Sequence, residues 1–374
     1  GAAMVKAGLT LYDVFTWRSR MMPRHRFAGR RQALKRRPAL SPDLICTATY
    51  YDAWISYPER LCLELLQDGS ALSENAVALN YMSLQSGGED GVLLKDELTG
   101  ETFLVQPDMV VNATGAWIDF TNRNLGLSSR MMGGTKGAHL VLENEELMRT
   151  LDGEMLYFEN SDGRVAVALP WLGKVLVGST DIRIDNPDEA RCEEEEIGYI
   201  LGALSELLPA VQVERSQVVS YFSGVRPLPY SDASATVQIS RDHHCEVTEP
   251  EGGIAFPVYS MIGGKWTTFR GFSEQVADLL LVRMGKKRRS GSEDLKIGGG
   301  CGFPSSTVEQ EQWIQELEEQ TGLAKERLAV LLGRYGARGK EVAAYIVEAP
   351  DARLDHHESY SRREIEYILL YEQV

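Results

Sequence analysis

Met109-Val110-Val111-Asn112-Ala113-Thr114-Gly115-Ala116-Trp117 is a short continuous apolar run that passes directly into small residues and a glycine turn. Such a run suits a buried parallel strand, where both faces are covered and the usual alternation is lost. Gly115 can take a positive φ without strain, and small residues there let backbone come close to a ligand. Outward from this stretch the pattern is mixed. Ala76 to Leu84, Gly91 to Asp96 and Glu101 to Gln106 alternate as strands, with turns at Gly87-Gly88 and Thr99-Gly100. Residues 137–247 are strand-rich, with strands expected at His139–Leu142, Arg164–Leu169, Val175–Gly178, Val218–Phe222 and Thr236–Ile239. One helix interrupts them at about Glu193 to Leu208; its acidic first turn suits the helix dipole and Pro209 ends it. Pro58 opens another helix after an extended Asp43–Tyr57 segment.

Beyond Arg283 the character changes. Lys286 to Ser292 is basic and rich in glycine and serine, Gly298 to Gly302 adds a second stretch that composition reads as flexible, and the rest is helical. Ser306 with Glu309, and Ser361 with Glu364, have capping-box spacing, and Gly322 is placed to end the first of these helices.

Composition bounds the class. The chain has 374 residues, 43% hydrophobic and 25% charged, which excludes wholesale disorder and predicts two or three domains. No apolar run reaches the roughly 18–20 residues that span a bilayer, and no secretory signal pattern opens the sequence. Five scattered cysteines without CxxC spacing indicate neither a disulfide framework nor a zinc site, so a reduced, cytosolic chain is expected. The net charge is −15, yet nine basic residues and no acid lie between Val14 and Pro42 (Arg18 to Arg37). That stripe suits an acidic partner: a phosphorylated substrate or an anionic membrane surface. A solvated face paired with the protein's own acids, such as Glu193 to Glu196, is the equal alternative. Nucleic acid is not expected, since no binding motif accompanies the stripe.

Several stretches can carry chemistry. Ile262-Gly263-Gly264-Lys265-Trp266-Thr267-Thr268-Phe269-Arg270 opens a helix on two glycines, exposing backbone N–H groups where the dipole is positive. It lacks P-loop spacing. Ser223-Gly224-Val225-Arg226-Pro227-Leu228 and Ile239-Ser240-Arg241-Asp242 place two arginines on extended segments; such a pair can hold a phosphate. Alternatively each pairs with a local acid such as Asp232 or Asp242. Arg226 is the more telling of the two, because an idle charge in a hydrophobic strand is costly. His139, in Lys136-Gly137-Ala138-His139, can take a proton, although a lone histidine is more often structural. Gly178-Ser179-Thr180-Asp181 reads as a plain turn. No metal-ligand spacing and no G-x-S-x-G elbow occur, so no metal is expected.

Taken in order, NATGAW, KGAHLVL, LPWLGKVLVGSTD, YFSGVRPL, ISRDH and GGKWTTFR resemble the FAD-dependent glycerol-3-phosphate dehydrogenases. LTLYDVF near the start, ATYYDAWISYPERL at 48–61, LGRYG at 332–336 and SRREIEYIL at 361–369 extend the resemblance over most of the chain. It implies a mixed α/β fold: an incomplete FAD-binding domain of the glutathione-reductase/amino-acid-oxidase type, an antiparallel-sheet substrate domain and a C-terminal helical domain. The implied boundaries are a basic N-terminal segment joined to the substrate domain (1–41), FAD-binding parts (42–119 and 237–285), a substrate domain (120–236), a linker (286–304) and a truncated helical domain (305–374). It implies oxidation of sn-glycerol 3-phosphate to dihydroxyacetone phosphate, with electrons passing from FAD to quinone or oxygen. Carried over, Arg226, Arg241 and Lys265 bind substrate, and His139, Arg226 and Lys265 are catalytic. Thr114, Gly115, Gly263, Gly264, Lys265, Thr267 and Thr268 line the flavin. A cytoplasmic enzyme is implied, peripheral on the inner face of the cell membrane and capable of forming homo-oligomers.

The family's opening strand, G-x-G-x-x-G and helix are absent from this sequence, and its closing segment is cut short. The expectation is therefore a portion of a longer enzyme that holds FAD weakly or not at all. A non-catalytic module completed by a second chain, and an amine-oxidising flavoprotein of the same fold, are the alternatives.

Overall fold

The computed structural model describes residues 2–19, 22–52, 54–55, 57–160, 162–231, 239 and 242–372. They form two units: Gly1–Asp52 with Tyr81–Arg289, and Ala53–Asn80 with Ser290–Val374.

In the first unit the apolar run forms the strand Val110–Asn112, parallel to Val258–Ile262 in the register Val258↔Val110 to Ser260↔Asn112. His244–Thr248 completes this three-stranded sheet on the other side. A second sheet of six strands is centred on Thr135–Leu142, which pairs along one edge with Lys174–Gly178 and Ile182–Arg183 and along the other with Val218–Arg226. Val165–Trp171 and Leu156–Glu159 extend it. Its core is Leu140, Leu142, Ala168, Val175 and Val177, packed with Ile197, Ile200 and Leu204 of the helix Glu194–Leu207 and Leu147 and Leu151 of the helix Glu145–Leu151. That helix face is apolar at i, i+3 and i+7, the spacing that turns one stripe toward a sheet. A three-stranded meander (Met82–Gly88, Gly91–Asp96, Thr102–Val105) packs Leu84, Val92 and Leu94 with Leu125, Phe256 and Val258. The first of these strands begins six residues later than the alternation predicts. Val77 and Leu79 are exposed, and Tyr81, with φ 55°, turns the chain before pairing starts. Of the expected strand at Thr236–Ile239, residues 236–238 lie outside the described residues.

The basic stripe finds an acid elsewhere in the chain. Arg36 pairs with Glu154 at 2.5 Å, and Arg37 bonds the same carboxylate at 2.7 Å together with the Leu151 carbonyl. For these two arginines the acid is Glu154, not the Glu193–Glu196 cluster.

The second unit is helical: Pro58–Ala71, Thr307–Thr321, Lys325–Tyr335, Gly339–Val347 and Arg362–Tyr367. Its core is Leu317, Leu328, Leu331, Tyr335, Val342 and Ile346. Ser306 and Glu309 form the expected capping box, and Gly322, at φ 70°, ends that helix. Ser361 does not cap with its side chain. Glu364 instead lies fully buried and accepts from Arg327, Arg334 and, at 2.7 Å, the Tyr335 hydroxyl. Two guanidiniums outbid the local backbone for it because a buried charge must be paired.

Gly298 and Gly299 are buried, not a flexible tether. Their N–H groups donate to Asp68 Oδ2 at 2.7 Å and Glu64 Oε2 at 3.0 Å, and a Cβ on Gly299 would collide with the Tyr335 carbonyl. Gly299→Ala is expected to destabilise this unit by ~2–3 kcal/mol, because a backbone carbonyl cannot step aside. A shift in urea midpoint at constant slope checks it.

Candidate functional site

Two glycine turns leave the carboxyl ends of the adjacent parallel strands Val110–Asn112 and Val258–Ile262. That end of a parallel pair is where α/β sheets bind ligands. Gly115 (φ 60°), Gly263 (φ 73°) and Gly264 (φ 99°) all adopt the left-handed region that only glycine enters freely. A Cβ on Gly263 would strike the Asp242 carbonyl, so this turn is also a close approach of two backbones.

The first turn is held from beneath by a buried amide network. Asn112 Nδ2 donates to the Ile118 carbonyl at 3.0 Å and to Asn122 Oδ1 at 2.8 Å, while Asn122 Nδ2 donates to Ser260 Oγ at 3.2 Å. Thr114 Oγ1 donates to Asn112 Oδ1 at 2.6 Å. Both strands and the helix Ile118–Asn124 are thereby fixed together, and buried amides so satisfied rigidify what they join. Sequence reading missed this network. Its signal is an Asn closing an apolar run with a second Asn ten residues on.

Arg226 ends the strand Val218–Arg226, and the following Pro227 touches the position a Cβ on Gly115 would take, 3.8 Å away. The ATG turn and the arginine are therefore neighbours. The Arg226 side chain is 28% exposed and pairs with Asp181 at 3.1 Å; Asp232 lies outside the described residues. Nη2 donates to Ser179 Oγ at 2.6 Å and the Thr180 carbonyl at 3.0 Å. The Gly178–Asp181 stretch, read from sequence as a plain turn, is thus part of the site.

His139 lies on the neighbouring strand, opposite Phe222 in register and stacked on its ring at 5.3 Å. Burial, and then the positive Arg226, lower its pKa to about 4, so the imidazole is neutral at neutral pH. A histidine depressed in the folded state binds fewer protons than the unfolded chain between about 6.5 and 4. Its contribution is present above pH 6.5 and is lost as pH falls toward 4. Unfolding free energy is expected to drop by ~2 kcal/mol between pH about 7.5 and about 5 from this group. His139→Gln should flatten that part of the profile in urea titrations.

Beneath the site Lys136 Nζ pairs with Glu196 Oε2 at 2.8 Å, both buried, and Thr180 Oγ1 donates to Glu196 Oε1 at 2.5 Å. Burial pushes the Glu196 carboxyl up, but hydrogen bonds from Lys136, Thr180 and the Glu193 N–H bring it below its ordinary value.

Lys265 is exposed after Gly264, and its N–H donates to Thr268 Oγ1 at 3.0 Å, so Thr268 caps the turn Trp266–Thr268. Thr267 and Thr114 are exposed. Arg241 lies outside the described residues. The structure brings Arg226 and His139 together, sets Pro227 against Gly115, and puts Gly263 and Gly264 at the same end of the parallel pair as Thr114 and Gly115. Among the described residues no helix is long and apolar enough to cross a membrane, and no cluster of His, Cys, Asp or Glu could hold a metal ion.

A family profile described as FAD dependent oxidoreductase matches residues 5–254. The glycerol-3-phosphate dehydrogenase of Synechocystis sp. is 32% identical over 372 residues, covering 93% of this chain and 64% of that protein. The aerobic glycerol-3-phosphate dehydrogenase of Staphylococcus epidermidis is 27% identical, covering 99% of this chain and 66% of its own length. The X-ray structure of the glycerol-3-phosphate dehydrogenase from Bacillus halodurans complexed with FAD matches with a TM-score of 0.71 at 26% identity, over 86% of this chain and 62% of that one. The chain therefore spans less than two thirds of the length of each of these relatives.

Proposed function

The chain belongs to the FAD-dependent oxidoreductase family, and from that premise we propose that it serves the oxidation of sn-glycerol 3-phosphate to dihydroxyacetone phosphate. The observation that carries this reading is the guanidinium of Arg226 set beside a neutral His139, on a strand whose following residue, Pro227, lies against the glycine turn at Gly115. An anion-holding fork and a proton acceptor are what a phosphorylated secondary alcohol requires.

The turns at Gly115 and Gly263-Gly264 fit a flavin, since positive-φ glycines at strand ends leave backbone N–H groups uncovered by side chains. FAD, when bound, takes up the hydride from C2 of the substrate and later yields its electrons to quinone or oxygen. In this reading Thr114, Gly115, Gly263, Gly264, Thr267 and Thr268 hold the ring. Arg226 and Arg241 hold the substrate phosphate, and Lys265 lies where ring and substrate meet. His139 accepts the hydroxyl proton as the carbonyl forms. Phosphate binding at Arg226 neutralises the charge that depresses His139, so the imidazole becomes a stronger base when substrate is in place.

The test is anaerobic addition of glycerol 3-phosphate to the FAD-loaded chain. Loss of the visible flavin band, with dihydroxyacetone phosphate formed in equal amount, is expected. Bleaching by glycine but not by glycerol 3-phosphate assigns the chain to the amine-oxidising alternative.

A further inference from the structure

The Gly178–Asp181 segment and Gly137 have no part in the reaction as just described, yet they enclose both of its charged and titrating groups. Arg226 Nη2 donates to Ser179 Oγ at 2.6 Å and the Thr180 carbonyl at 3.0 Å, and Nη1 donates to Asp181 Oδ1 at 3.1 Å. A Cβ on Gly137 would lie 2.7 Å from Arg226 Cζ, so the guanidinium rests against bare backbone. Gly178 does the same for His139, whose Cγ is 2.8 Å from where a Cβ would stand. The segment is itself anchored. Thr180, 2% exposed, accepts from the Ala138 N–H at 2.9 Å and donates to the buried Glu196.

We propose that Asp181, aided by Ser179 and the side-chain-free Gly137, is a positioning residue that sets the Arg226 guanidinium against His139, so that fork and imidazole are placed as one unit. The inference rests on the reading of Arg226 and His139 given above. An arginine free to sample its rotamers loses affinity to ordering, whereas one held by three acceptors on a rooted segment binds pre-organised. Among the described residues Arg226, from the strand on one side, is the charge acting on His139; Phe222 faces it as an uncharged ring and Gly178, from the strand on the other side, faces it without a side chain.

The experiment uses the full chain with added FAD, following the His139 titration by NMR of labelled histidine and glycerol 3-phosphate affinity by calorimetry. Asp181→Ala is expected to weaken binding about tenfold, the loss of one charge-assisted contact. It should also raise the His139 midpoint as the guanidinium moves off. Asp181→Asn keeps an acceptor oxygen for Nη1 and should recover most of both changes. Gly137→Ala, with Asp181 intact, should reproduce both by displacing the guanidinium sterically. An unmoved His139 midpoint in both Asp181→Ala and Gly137→Ala overturns the proposal. So does tighter binding by Asp181→Ala, which would make Asp181 a competitor for the fork. A parent chain without affinity for glycerol 3-phosphate, in which Asp181→Ala and Gly137→Ala still raise the midpoint, upholds the positioning role and removes only the substrate reading.

Discussion

Arg226→Ala is expected to raise the KM for glycerol 3-phosphate by two orders of magnitude or more, an effect of ~2–4 kcal/mol for a desolvated charge pair losing one partner. The loss has two parts. The substrate phosphate forfeits a planar fork, and Asp181, 17% exposed, is left without the guanidinium that neutralises it. Arg226→Lys restores a charge but not the geometry, since one ammonium cannot reach Ser179, Thr180 and Asp181 while also facing a phosphate. It should fall between the two. Steady-state rates with an artificial acceptor, resolved into kcat and KM, decide the matter; an unchanged KM in Arg226→Ala sinks the assignment of this residue to the substrate.

The second large effect lies in the helical unit. Glu364→Ala should cost ~3–5 kcal/mol, because it strands two buried guanidiniums at once. Arg327 and Arg334 are 4% and 8% exposed, and the carboxylate between them is fully buried. Arg327 keeps the Ser359 carbonyl at 2.6 Å and Ser361 Oγ at 3.2 Å, neutral acceptors that cannot balance its charge. The Tyr335 hydroxyl also loses its acceptor; burial and then Glu364 hold that phenol well above its ordinary pKa. Glu364→Gln keeps the shape and isolates the charge, so a smaller loss is expected. Urea unfolding followed through the helical signal measures both. A Glu364→Ala protein within 1 kcal/mol (about fivefold in the folding equilibrium) of the parent contradicts this account.

Much of the fold was legible because local pattern and tertiary use agree. The strand Val110–Asn112 is parallel, as its unbroken apolar run indicates, but of its three residues only Asn112 is buried and Val111 is 41% exposed. The helix Thr307–Thr321 begins and ends on the caps its sequence carries. Arg226 was conspicuous because a hydrophobic strand flanked by glycine and proline offers no reason for a charge. What holds it was not legible: Asp181 lies 45 residues earlier and is brought alongside by antiparallel pairing around Thr135–Leu142. Gly298 to Gly300 carries the composition of a tether and the packing of a core contact, a difference only the opposing Tyr335–Gly336 backbone reveals. Ser361 and Glu364 show the limit of spacing rules. The interval is right for a cap, but two arginines from another helix claim the carboxylate.

The buried pair of Lys136 and Glu196 constrains how this sequence can drift. Neutralising either residue alone leaves the other as an unbalanced charge, and Glu196 also receives Thr180 and the Glu193 N–H. Every one-step change to a neutral residue at 136 or 196 therefore crosses a less stable intermediate, even where a paired apolar replacement would be tolerated. The two positions are thereby coupled, and a neutral residue at one is tolerated only with a matching change at the other.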